Sequence, residues 1–189
     1  MKKTLLTLTL LGFAQTAAAG ALDQPIQTYL DQTLRSWATN PVVVDAITMQ
    51  NAAHAGLDAA QIETLDQAWR AEIGATDQPT IAPVLNNPAS DFLRAQLAAT
   101  QGRVTEAFVT DNLGLNVAMA GLTSDYWQGD EDKFTATYPK GADAVHLGEV
   151  EFDESTQTYQ LQVSFTVINP ATGAPIGAMT VALDAESLQ

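Results

Sequence analysis

The chain has 189 residues, with 8 Lys and Arg against 22 Asp and Glu, and it contains no Cys. A formal charge of −14 repels nucleic-acid backbones and anionic membrane surfaces, and the lack of Cys excludes disulfides, thiolate metal sites and Cys nucleophiles. With 46% hydrophobic and 16% charged residues, there is apolar material for a well-filled core.

The N-terminus reads as an export signal. Met1-Lys2-Lys3 is a short positive region, Leu5 to Phe13 is apolar, and Ala17-Ala18-Ala19 fits a small-x-small cleavage site. The expected signal peptide is 1–19, cut before Gly20, which places the mature chain in a bacterial periplasm. The alternative is an uncleaved anchor, but the apolar stretch falls short of the ~20 residues a bilayer span requires.

Four helices are predicted next. Leu22, Ile26, Leu30, Leu34 and Trp37 recur every three or four residues, which is one helical stripe. Asn40 and Pro41 read as the cap and first turn of a second helix carrying Val43, Val44 and Ile47, which Gly56 ends. Asp58 and Gln61 form a capping-box pattern ahead of Ile62, Leu65, Trp69 and Ile73, closed by Gly74. Pro79, Pro83 and Pro88 mark a loop, after which Ser90 caps a fourth helix with Phe92, Leu93 and Leu97 that stops at Gly102.

From Arg103 the period changes to two. Strands are expected at 104–110, 115–120, 144–153, 159–167 and 176–183, with a tight turn at Asp111-Asn112-Leu113-Gly114. A loop and short helix, capped by Asp130, fill the excursion at 121–138. The fourth strand is the clearest: Tyr159, Leu161, Val163, Phe165 and Val167 alternate with Gln160, Gln162, Ser164 and Thr166. The fold class is α+β: N-terminal helices (20–102) packed on a five-stranded antiparallel sheet (103–189), with no alternation of strands and crossover helices.

Certain segments resemble the Cache (PAS-like) extracellular sensor domains of bacteria. They are Thr105 to Asp111, Gly114 to Ala118, the run Thr123-Ser124-Asp125-Tyr126-Trp127-Gln128-Gly129-Asp130-Glu131, and Ile176 to Val181. The resemblance extends over residues 22 to 188 and implies a stand-alone exported single-Cache protein. It implies binding of a small metabolite between the sheet and the excursion, and signalling through a membrane receptor or transporter partner. Amino-acid-binding members carry an Asp where this chain has Ala182, and Asp184 lies two residues further on.

Two clusters are candidate ligand contacts. Asp125, Tyr126, Trp127, Asp130 and Lys133 place two aromatic walls beside polar anchors. The alternative has Tyr126 and Trp127 filling the core, Asp130 capping a helix and Lys133 in solvent. Ser164 and Thr166, with Thr180 on the next strand, form the second cluster, whose alternative is a solvated sheet face. No cofactor is expected. His54 and His146 lack ligand-spaced partners, and Asp130-Glu131-Asp132 lacks the alternating oxygens and central Gly of a calcium loop. No Gly-x-Ser-x-Gly, His-Glu-x-x-His or phosphate loop occurs, so the expectation is a non-enzyme. The competing functional class is a structural or interaction protein whose pocket is filled by its own side chains.

Overall fold

The structure is a computed structural model and describes residues 24–153 and 157–188. The signal segment lies outside the described residues.

Helix α1 (Gln24–Tyr29) passes through a π-helical turn (Leu30–Leu34) into α2 (Arg35–Ala38). Ile26, Leu30, Leu34 and Trp37 of the predicted stripe are all buried. Helix α3 (Pro41–Ala53) starts as predicted: the Asn40 side chain accepts the Val42 N–H at 3.1 Å, and Pro41 takes the first turn, where no N–H is needed. It ends on His54, two residues before Gly56. Helix α4 (Ala59–Glu72) carries the full capping box, with both Asp58–Gln61 bonds at 2.9 Å. Trp69 is fully buried, whereas Ile73 falls past the helix end and is exposed.

Two expectations fail in the proline-rich stretch. Helix α5 (Ile81–Leu85) replaces part of the predicted loop. The Glu72 carboxylate reaches across to accept the N–H groups of Thr80 and Ile81, at 2.8 and 2.9 Å, and so satisfies the helix start from a distance. Pro83 falls in the first turn, where its missing donor costs nothing. Helix α6 (Pro88–Ala99) is capped by Asn87, which accepts the Ser90 N–H at 2.9 Å; Ser90 is not the cap. Its hydroxyl is buried, donating to the Val84 carbonyl at 2.6 Å and accepting the Met119 N–H at 2.9 Å.

The sheet has five strands: β1 (Val104–Thr110), β2 (Asn116–Met119), β3 (Val145–Asp153), β4 (Thr158–Ile168) and β5 (Pro175–Asp184). Their spatial order is β2-β1-β5-β4-β3, with every pair antiparallel. The β1–β2 turn closes at Gly114, whose φ of +84 suits only a residue without a Cβ. Asp111 Oδ1 accepts the Leu113 and Leu115 N–H groups there. Helix α7 (Asp132–Thr135) follows Glu131, not Asp130; its N-cap makes no side-chain bond. A 3-10 turn, Tyr138–Lys140, completes the excursion.

Strand alternation divides the sheet into two faces. One carries Ala107, Val109, Leu161, Val163, Phe165, Val167, Met179, Val181 and Leu183 into the main core with the N-terminal helices and α6. The other carries Phe108, Thr180 and Ser164. A second core of Trp69, Ile81, Val84, Phe108, Leu115, Met119 and Tyr126 lies toward β2.

Candidate functional site

The second sheet face is polar and covered. Cross-strand register sets Phe108, Thr180, Ser164 and His146 in one row, Thr110, Ala178 and Thr166 in the next, and Glu106, Ala182 and Gln162 on the other side. Helix α7 packs over β3, β4 and β5, and the centre of the face is not solvated: Thr110, Ser164, Thr166 and Thr180 are each at most 2% exposed, while Glu106, His146 and Gln162 stay partly exposed. This corrects the solvated-face alternative.

Buried hydroxyls need partners. The Ser164 and Thr180 hydroxyls pair at 3.0 Å, and the Thr166 hydroxyl donates to the Gly141 carbonyl at 2.7 Å. The Thr110 hydroxyl has no partner among the described residues. The cover is apolar and aromatic: Phe134 is buried and stacks on Tyr138 at 5.6 Å.

Charge enters at one edge. The Lys133 ammonium lies 5.6 Å from the centre of the Phe108 ring and 2.9 Å from a Glu131 oxygen. Burial pushes the Glu106 carboxyl up, Lys133 opposes that, and Asp153 and Glu131 add to it. A polar cleft of about 160 Å³ opens beside this edge, lined by Gly148, Glu149, Glu151 and Gln162 among others. The arrangement offers hydrogen-bonding hydroxyls, one cation and one half-buried acid around an aromatic ring. Among the described residues no group of three or more His, Cys, Asp and Glu is placed to hold a metal.

The structure brings Lys133, Ser164, Thr166 and Thr180 to this face and sends the other sequence candidates elsewhere. Tyr126 is buried and stacks on Trp69 in the second core, with burial pushing its phenol far up. Trp127 is half-buried; its indole N–H donates to the Leu113 carbonyl at 2.8 Å. Asp125 faces Arg70 of α4 at 3.3 Å and accepts from Ser124 and Gln128. Asp130 is exposed.

Asp66 on α4 explains why the aromatic loop docks there. It is 4% exposed. One oxygen accepts the N–H groups of Tyr126 and Trp127, at 2.9 and 3.0 Å, and the other takes the Arg70 Nε–H at 2.8 Å. Sequence reading passed over Asp66, although a charged residue between Leu65 and Trp69 on the apolar stripe is a readable signal. Glu106 and Thr110 were also missed as site residues, since parity along β1 alone does not tell which face is covered.

No protein-family model matches the chain, and no curated protein matches it. Among solved structures, similarity is found to sensor domains. The ligand-binding domain of the Campylobacter jejuni chemoreceptor Tlp3, in complex with 4-methylisoleucine, has 14% identity and a TM-score of 0.41, covering 85% of this chain and 64% of that one. The ligand-binding domain of the Pseudomonas aeruginosa PAO1 amino acid chemoreceptor PctC, in complex with GABA, has 17% identity and a TM-score of 0.42, covering 86% and 62%. The sensor domain of the Vibrio cholerae histidine kinase DctB has 14% identity and a TM-score of 0.39, covering 86% and 56%. The chain thus matches less than two thirds of the length of each of these. Among the described residues no helix is long and apolar enough to cross a membrane.

Proposed function

We propose that the chain is a small-molecule-binding sensor module of the Cache type. Its ligand lies between the second sheet face and the 121–138 excursion. Thr110, Ser164, Thr166 and Thr180 supply hydrogen bonds, and Lys133 and Glu106 supply charge. The single observation that carries this reading is the covered polar stripe. A sheet face sealed from solvent is ordinarily apolar, because an unpartnered buried hydroxyl costs ~1–3 kcal/mol. This one keeps four hydroxyl side chains and leaves Thr110 without a partner.

The module is exported, its signal segment is removed near Ala19, and it acts through a membrane-bound receptor or transporter. The test is a thermal-shift screen against amino acids, organic acids, amines and purines. A ligand at 100 times its Kd adds about 2.7 kcal/mol, which raises Tm by several degrees. A flat result across the library supports the competing class, an interaction protein with a filled pocket.

A further inference from the structure

A cavity of about 570 Å³ opens between α3, the start of α6 and Val117 of β2, and it shares no residue with the polar sheet face. That volume falls within the ~300–1,000 Å³ usual for small-molecule sites. Helix α3 buries Val43, Val44 and Ile47 in the core and turns Val42, Ala46, Met49 and Ala53 to the cavity. It is therefore apolar on two faces: Val42 and Ala46 pack partly against the main core, while Met49, at 73% exposed, and Ala53 stay open to solvent.

The polar lining decides what the cavity can hold. Its polar residues are Asp45, Gln50, His54 and Asn87. Asn87 is spent, accepting from the Ser90 N–H and donating to the Val84 and Val117 carbonyls. Gln50 donates through Nε2 to Asp111 Oδ2 at 3.0 Å and to the Asn116 carbonyl at 3.1 Å, and its Oε1 has no partner among the described residues. His54 Nδ1 lies 2.7 Å from the same Asp111 oxygen. A carboxylate only accepts, so Nδ1 carries a proton toward Asp111. Asp45 is an exposed carboxylate with no ion pair among the described residues. The Gln50 Oε1 and the Asp45 carboxylate are thus uncommitted acceptors, and no Lys or Arg lines the cavity. An anion meets the Asp45 carboxylate and no Lys or Arg there, whereas a cationic donor with an apolar body finds both of its needs met.

We propose that the α3 cavity is a second binding site, for a small amphipathic amine. Its apolar body lies against Ala46, Met49 and Val117, and its ammonium is complemented by Asp45. The site is independent of the sheet-face reading.

Calorimetry with phenethylamine, phenethyl alcohol and phenylacetate tests this. The amine binds with a Kd of about 1 mM or tighter, and the alcohol and the acid bind at least ~5-fold more weakly. Asp45→Asn weakens the amine about 5-fold, as loss of one solvent-exposed charge contact predicts. Ala46→Trp fills the cavity and removes binding, while Thr180→Val leaves it unchanged. If melting curves show that Ala46→Trp is misfolded, Ala53→Trp on the exposed end of the same wall replaces it. The proposal is overturned if no amine binds, if the alcohol binds as well as the amine, or if the filled variant still binds. Binding that survives in the filled variant but is lost in Thr180→Val assigns the amine to the sheet face instead.

Discussion

Trp69 on α4 and Tyr126 in the excursion lie face to face, 5.0 Å between ring centres and 5° between planes. The pair ties the second core to the loop that leads into α7, and it explains why two adjacent aromatics take different environments. Tyr126 goes inward, and Trp127 remains half-buried with its indole N–H on the Leu113 carbonyl. Tyr126→Ala should therefore cost ~3–5 kcal/mol in urea unfolding, as truncation of a buried aromatic does. Trp127→Ala should cost less, ~1–3 kcal/mol, because part of its ring is already in water. Equal costs for the two would contradict the packing described.

Asp66 holds the same loop by its backbone. Asp66→Ala leaves two N–H groups without their acceptor and should destabilise by ~2–4 kcal/mol. Asp66→Asn keeps an oxygen for both and should lose less than half of that. Backbone amides of Tyr126 and Trp127 should exchange faster in the Ala variant than in the Asn variant; identical exchange would remove Asp66 from its anchoring role.

The sequence shows the fold more openly than the site. The Asn40 and Asp58 caps, the five strands and the Asp111–Gly114 turn are local signals, set by residues a few positions apart, and the structure contains all of them. The cap of α5 is not local: it comes from Glu72, eight residues before Thr80. The same holds for the polar face of β4. Alternation shows that Ser164 and Thr166 share a side, but only the placement of α7 shows that the side is covered. Asp66 and Asp111 are buried acceptors that also bind distant elements, Asp66 the Tyr126 N–H and Asp111 the His54 ring, and those roles emerge only with the tertiary contacts.

Glu72 predicts an acid-sensitive segment. Burial pushes its carboxyl up, but the bonds from Ile81 and Thr80 outweigh this and hold it below the usual carboxylate range. A depressed folded-state value contributes stability that is present above the unfolded value, ~4.3, and is lost as pH falls through the folded one. Exchange protection at Thr80 and Ile81 should therefore drop on acidification below that range. Glu72→Gln should start with weaker protection and lose the pH dependence. A pH dependence that persists in the Gln variant would assign it to another group.

Thr110 separates a ligand site from a filled core. Its hydroxyl is buried without a partner, so Thr110→Val should leave stability unchanged or raise it by up to ~1 kcal/mol. The same change should weaken a ligand that uses the hydroxyl by roughly 5- to 10-fold, near the net worth of one hydrogen bond. Destabilisation by more than 1 kcal/mol would show that the hydroxyl is satisfied in the protein alone.

The proposed function places a ligand between the polar sheet face and the excursion. Amide chemical-shift mapping with whichever compound most raises Tm tests it most directly. The largest shifts should fall on Thr110, Ser164, Thr166, Thr180 and Lys133, and Ser164→Val should abolish both these shifts and the rise in Tm. Shifts confined to α3 and α6, or a Tm rise unchanged in Ser164→Val, would contradict it.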